Sequence, residues 1–560
     1  MLIGIDVGGT FTDGVLLDGK AIAATVKYPT DNDDLKTTLL NVLDKLLAGI
    51  DNQDINRVVL STTLVTNMLA TDSVARTALL LLPGPGLPLD TYLLFADTYF
   101  LKGSIDFRGR KIETIDSKEV EEAVADIHSQ GINKIAIVGK FSNRNSELEK
   151  VVRKIVLDKF PSMDVAIGSE TAGQLNFLRR IVTTYYSIMT KEAWDSFVRE
   201  IETALLQRGI TAEVDVLKAD GGTMPLHLSQ SKPCETVFSG PAASTMGAVA
   251  LVMNPRNSVV VDIGGTTSDI SLLIEGQPLY ASKGASIKGH YTHINAFSVC
   301  SLALGGDSPV TINQDVVSVG SRRRGSAACF GGELPTVIDV FNHKHRLGIG
   351  NEAQSTAKLT WIVQNTGLDI ETLCTEVENI VINRLQESIQ NMFQEWENEP
   401  AYRVWEVVHG RKFNVQEIIG IGAATGAIIP VLARKMGVDC IIPEYASVAN
   451  ALGACVARPT LALKVHIDTE NGYFVLDQEG ISGPIAAGQN MQMQDAQNLA
   501  RRHLIEMAKV RGMTDYADEA EVYLQEQFNV IRGWNTAGKI FDIGVQISPG
   551  LIKEYQGVSR

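Results

Sequence analysis

Two short strings hold the residues most able to do chemistry: Asp6-Val7-Gly8-Gly9-Thr10-Phe11-Thr12-Asp13 and Asp262-Ile263-Gly264-Gly265-Thr266-Thr267-Ser268-Asp269. Each follows a run of strand-forming residues, Leu2-Ile3-Gly4-Ile5 or Val259-Val260-Val261, and each ends in a second aspartate. Paired glycines let backbone N–H groups come close to phosphate oxygens, and the hydroxyls of Thr10, Thr12, Thr266 and Thr267 add donors. Asp6 and Asp262 then fall beside a polyphosphate, where crowded anions are tolerable only with Mg²⁺, bound directly or through its waters. With Asp13 and Asp269 they form the set from which the catalytic carboxylates are expected. A single string of this kind is equally well read as a tight hairpin with a capping aspartate. The duplication is what argues for a phosphate device.

A third string, Gly420-Ile421-Gly422-Ala423-Ala424-Thr425-Gly426, opens an apolar helical stretch, and its small residues would let a purine or ribose lie against the backbone. It misses the G-x-G-x-x-G spacing of a dinucleotide fold, and the chain contains no Walker A sequence.

The elements that must position these strings are legible. Leu2–Asp6 and 14–17 read as a hairpin, followed by a helical repeat from Leu35 through Leu47. Between 120 and 170 helix and strand patterns alternate, which is α/β architecture. Residues 256–275 repeat the opening in outline, so two related lobes are expected. The small-residue segment 447–457 predicts a closely packed helix, and a strand, turn and helix after Pro459 predict a small module. The expected divisions are 1–185, 186–459 and 460–560.

Composition excludes several classes. Of 560 residues, 45% are hydrophobic and 21% charged, the balance of a globular chain long enough for more than one core. A formal charge of −15, with no basic run longer than Arg322-Arg323-Arg324, disfavours nucleic acid and anionic membrane as partners. The six cysteines form no CxxC pair, so zinc ribbons, disulfide frameworks and iron–sulfur sites are not indicated. A strand beginning at Leu2 leaves no room for a leader, and no apolar run reaches the ~18 residues of a membrane span. A cytoplasmic location is expected.

Weaker features are weighed in the same way. His290 and His293 have HxxH spacing, but the adjacent Gly289 and Thr292 favour a loop or strand over a metal-binding helix. His343 and His345 read as solvent-facing. The arginine run could hold an anionic group, although a solvated loop is the commoner outcome. The 83–86 loop, Pro-Gly-Pro-Gly, is a candidate for substrate contacts. Thr62, Thr63 and Asn67 could line a substrate site or cap the helix that follows, and the two readings are equal.

Several further strings, including 61–67 (STTLVTN), 105–110 (IDFRGR), 141–145 (FSNRN), 239–243 (SGPAA) and 328–332 (ACFGG), resemble the hydantoinase/oxoprolinase family of the actin/Hsp70/sugar kinase superfamily. The resemblance covers about 1–460 and implies two actin-like (ribonuclease H-like) α/β lobes around a nucleotide cleft, plus a small C-terminal α/β module. It implies ATP and Mg²⁺, with γ-phosphoryl transfer to an amide or ketone oxygen, and cyclic amides such as hydantoins or 5-oxoproline as substrates. A hydantoinase-B-like second subunit and an oligomeric assembly are also implied. The chain departs from the family at Leu60-Ser61, where His-Gly is usual. It departs again at Gly305-Gly306-Asp307-Ser308, where Asp307 replaces a glycine and adds a carboxylate beside the expected cleft. Gly305 and Gly306 are accordingly expected near the nucleotide and Asp307 near substrate. Two other functions stay open: a small-molecule kinase releasing a stable product, and a nucleotide-switched reactivase or assembly chaperone.

Overall fold

The computed structural model describes residues 1–31, 34–364, 366–398, 414–477, 481–485 and 490–555. The first lobe is built on Leu2–Val7, every residue of which is buried. One edge of this strand pairs antiparallel with Phe11–Asp18, which pairs antiparallel with Ala21–Pro29. Its other edge runs parallel to Arg57–Thr62, and that strand runs parallel to Glu213–Leu217. This order, a meander followed by two parallel additions, is the ribonuclease H-like sheet of an actin-like lobe. The helix Leu35–Leu46 covers it with Leu39, Val42, Leu43 and Leu46, and Asp34 caps the helix by accepting from the Thr37 N–H.

The second lobe repeats the plan. Ser258–Ile263 pairs antiparallel with Ser268–Ile274 and parallel with Glu417–Ile421, which is flanked by Asp439–Ile441. The repeat extends to register: Asp6 lies opposite Asp13, and Asp262 opposite Asp269. Each lobe therefore brings two carboxylates to the same end of its central hairpin.

The first lobe carries an inserted parallel sheet, in the order Asp164–Ile167, Lys134–Gly139, Thr77–Leu82, Thr98–Phe100. The division expected at 185 falls inside the helix Phe177–Gln207, and the first sheet draws its last strands from Glu213–Leu217 and Thr223–Pro225. A parallel addition needs a long crossover, so the first sheet is completed only by strands that reach residue 225.

A C-terminal five-stranded sheet with the helix Met493–Val510 packs against the inserted sheet's loops. Arg108 meets Asp468 at 2.6 Å, and Arg144 lies 3.5 Å from both Asp477 and Asp542. No helix among the described residues is long and apolar enough to cross a membrane.

The lobes meet through two helices, Ser239–Val252 and Ala449–Val456. A Cβ on Gly453 would lie 2.1 Å from the Ala243 carbonyl oxygen, one on Gly247 would lie 2.0 Å from that of Ala449, and one on Gly4 would lie 2.1 Å from that of Ala451. The second helix is thus clamped against both the first helix and the first sheet. Replacing Gly453 by alanine gains about 1 kcal/mol of helix propensity but forces backbone apart, a cost of about 1–3 kcal/mol or more. The Gly453→Ala protein is expected to show a lower thermal unfolding midpoint than wild type; an unchanged or raised midpoint would show that the helices are not in contact.

Candidate functional site

The first phosphate-type loop turns sharply because the Gly8 N–H donates to the Phe11 carbonyl at 3.1 Å. Thr30 fixes it from outside, its hydroxyl donating to Gly8 O at 2.8 Å and its N–H to Thr10 O at 2.9 Å. Gly9 is exposed and Thr10 half-buried. Thr12 is fully buried, and its hydroxyl is shared with Thr30 at 2.9 Å. It braces the loop from behind.

The second loop makes the same turn, Gly264 N–H to Thr267 O at 3.0 Å. It rests on the 305–307 segment, where the Gly306 N–H donates to Gly264 O at 2.9 Å and the Asp307 N–H to Gly265 O at 2.8 Å. A Cβ on Gly305 would come within 2.5 Å of Gly265 O, so Gly305 and Gly306, both buried, support the loop rather than face the cleft. Ala424 N–H donates to Ile263 O at 3.0 Å, which brings the 420–426 segment alongside. Gly422 has φ +90°, and a Cβ there would lie 2.3 Å from Asp262 Oδ1, so only glycine serves. Gly420 is buried in its strand against the Thr425 hydroxyl, whereas Ala423 is exposed; Thr266 is half-buried and Thr267 exposed.

The four aspartates converge where the lobes meet. Asn450, on the Ala449–Val456 helix, donates from Nδ2 to Asp6 Oδ2 at 3.4 Å and to Asp262 Oδ2 at 3.2 Å. Ser244, on the other joining helix, donates to Asp262 Oδ2 at 2.5 Å. Asp13 is held by Lys27, whose Nζ lies 2.7 and 2.9 Å from its two carboxylate oxygens. Burial, reinforced by Asp13 and Asp262, pushes the Asp6 carboxyl up to about 6. Burial, with Asp262 and Asp6 adding repulsion, pushes Asp269 up to about 7. Burial also raises Asp262 and Asp13, the latter opposed by Lys27. Among the described residues Asp6 Oδ1 and Asp269 Oδ1 are buried without a hydrogen-bond partner.

Orphaned, mutually repelling carboxylate oxygens fit a divalent cation. Among the described residues no three His, Cys, Asp or Glu side chains form a metal cage.

On the other side of the joint, Thr62 is buried, accepts the Leu64 N–H at 3.2 Å and receives Ser239 Oγ on its carbonyl at 2.9 Å. Thr62 ends the strand Arg57–Thr62 and its hydroxyl meets the first residue of the helix Leu64–Ala70, whose N-cap is Thr63. Thr63 is half-buried and Asn67 exposed, joined by a 3.2 Å bond from Asn67 Nδ2. Asp307 pairs with Arg323 at 2.8 Å. The 83–86 loop ends the inserted sheet, with Lys140 Nζ on Pro85 O at 2.9 Å. His290 lies in the short strand His290–Tyr291; His293 bonds the Asn176 carbonyl at 3.1 Å, and burial pushes it down to about 4. His343 and His345 are partly buried rather than solvent-facing, on Thr356 and Glu378. Sequence reasoning missed Asn450, Ser244 and Lys27. Only Asn450 left a signal: it is the one strongly polar residue of an eight-residue apolar helix.

Two family profiles match the chain. One, described as hydantoinase/oxoprolinase N-terminal region, spans residues 2–160, and the other, hydantoinase/oxoprolinase, spans residues 180–462. The caprolactamase alpha subunit of Pseudomonas jessenii is 23% identical over 496 residues, covering 80% of this chain and 69% of that protein. The uncharacterized protein MJ0964 of Methanocaldococcus jannaschii is 24% identical over 390 residues, covering 62% of this chain and 57% of its own length. Among solved structures, nucleotide-free acetone carboxylase superposes with a TM-score of 0.73 at 17% identity, covering 99% of this chain and 88% of that one. The ATP-dependent caprolactamase of P. jessenii gives 0.68 at 18% identity, covering 97% and 87%. These superpositions show a shared fold.

Removing one carboxylate relieves the rest. A carboxyl raised on folding costs stability that is absent below its unfolded value near 4 and grows as pH rises through its folded value. In EDTA, Asp269→Asn is therefore expected to raise the thermal midpoint by about 2 °C at pH 8, with the gain vanishing toward pH 4. A midpoint lowered at pH 8 would mean that the carboxylates do not repel one another.

Proposed function

The chain belongs to the hydantoinase/oxoprolinase family, and from that membership we propose that it uses ATP to phosphorylate the carbonyl oxygen of a cyclic amide, preparing the ring for hydrolysis. The observation that carries this reading is the meeting of Asp6 and Asp262 on the single amide of Asn450. Two phosphate loops are thereby brought to face one point. The tight turns at Gly8-Gly9 and Gly264-Gly265 would let the polyphosphate approach the backbone, and the hydroxyls of Thr10, Thr266 and Thr267 would donate to it. Gly422 and Ala423 offer a flat wall for the nucleoside. Asp6 and Asp262 would hold Mg²⁺, which when bound neutralises phosphate charge.

An amide is a poor electrophile with a poor leaving group. Transfer of the γ-phosphoryl group to its oxygen breaks the phosphoanhydride bond, releases ADP and leaves an imidate phosphate. Water then adds to the carbon and the C–N bond of the ring opens to the amine, leaving an acyl phosphate, and a second water releases the phosphate and leaves the carboxylate. Asp13 and Asp269, with raised affinities for protons, would take or return a proton at the reacting oxygen. Thr63 and Asn67, beside the first phosphate loop, would orient the ring. Closure of the lobes would exclude water until transfer is complete.

The relatives are named as subunits of caprolactamase, acetophenone carboxylase and acetone carboxylase, so a second chain supplying the hydrolytic step is part of this proposal. ATP-dependent chemistry on a ketone is the neighbouring possibility within the same mechanism.

The test is release of ADP and phosphate with Mg²⁺ over a panel of lactams, hydantoins, 5-oxoproline and ketones. One ring class is expected to stimulate turnover at least several-fold, and Asp262→Ala to reduce that turnover by more than about 100-fold. ATP turnover indifferent to every ring and ketone would sink the proposal.

A further inference from the structure

Asp307 departs from the family's glycine, and its surroundings give the departure a role. Its N–H is bonded to Gly265 O at 2.8 Å, and its Oδ2 lies 2.8 Å from where a Cβ on Gly265 would stand. The carboxylate thus sits against the second phosphate loop itself. A free carboxylate about 5 Å from a phosphate oxygen would repel it by about 3 kcal/mol at an effective dielectric of about 20. It is not free: Arg323 Nε contacts the same Oδ2 at 2.8 Å, the side chains being 31% and 15% exposed for Arg323 and Asp307. The guanidinium is therefore within two hydrogen-bond lengths of Gly265. Among the described residues its Nη2 meets the Ser326 hydroxyl at 3.5 Å, a weak contact that leaves most of the fork's outer edge for another acceptor. A planar, always-charged fork beside backbone N–H donors is the arrangement that recognises phosphate oxygens.

We propose that Arg323 contacts the β- or γ-phosphate of the bound nucleotide, and that Asp307 holds it in place over the loop and competes with the phosphate for it. Arg323 is the binding residue and Asp307 the positioning residue. The inference rests on the nucleotide reading of the cleft.

Calorimetric titration of the full chain with Mg·ATP, Mg·ADP and AMP separates the two. Wild type is expected to bind all three. Arg323→Ala weakens ATP by about tenfold, the loss of one charge-assisted bond, and leaves AMP unchanged, while Arg323→Lys recovers part of the loss. Asp307→Gly tightens ATP severalfold, and that gain disappears in the Asp307→Gly/Arg323→Ala double variant. Circular dichroism confirms that these loop variants are folded. If ATP binds wild type and Arg323→Ala equally, or if ATP and AMP change alike, the assignment of Arg323 is overturned while the nucleotide site stands. If wild type binds no nucleotide, both fall.

Discussion

Four aspartates pressed into one low-dielectric joint are the constraint around which the molecule is organised. Left alone they would repel; each is raised by burial, and two keep an oxygen without a partner among the described residues. The fold tolerates this because the strain is shared. Lys27 takes Asp13, Ser244 takes one oxygen of Asp262, and Asn450 spans Asp6 and Asp262 with a neutral donor. A charged side chain in place of Asn450 would fix the balance permanently. An amide leaves room for a cation whose arrival changes it, the kind of stored cost found at sites kept for function.

Everything else serves that convergence. Both lobes present their aspartate pairs at matching ends of matching hairpins, so the problem reduces to bringing two sheet ends together. Glycines at 4, 247 and 453 solve it by letting backbone touch backbone, where any side chain would hold the lobes apart. The apolar cores on either side are separate, one under Leu39, Val42 and Leu43 and the other under Val340, Phe341 and Val377. Between them the two joining helices carry their own apolar core, packed on the first sheet through Leu2, Val15 and Val59 and on the second through Val260 and Ile419.

Much of this was legible from residue types alone. The duplicated strings gave two lobes, the periodicity from Leu35 gave the covering helix, and the small residues of 447–457 gave close packing. What escaped reading was long-range. No local pattern tells that a strand at 213–217 completes a sheet begun at Leu2, because pairing partners are separated by a whole inserted domain. Thr12 was placed in the cleft because its type suits a phosphate, yet strand alternation turns it inward onto Thr30. Ser244 and Lys27 were invisible for the same reason: a common hydroxyl and a common cation acquire a role only through what folds beside them. Asn450 could have been noticed, since a lone strongly polar residue in an apolar helix must find a partner.

The C-terminal module has a consequence for how the chain can vary. Arg108 and Arg144 are almost wholly buried against it, neutralised by Asp468, Glu470, Asp477 and Asp542. Without the module these guanidinium groups would face a surface shaped for acids that were no longer there. The first lobe is thus not an independent cassette. Its inserted sheet was shaped together with a segment more than 300 residues away in the chain, and recombination that separates the two would have to exchange both arginines and their acidic partners at once.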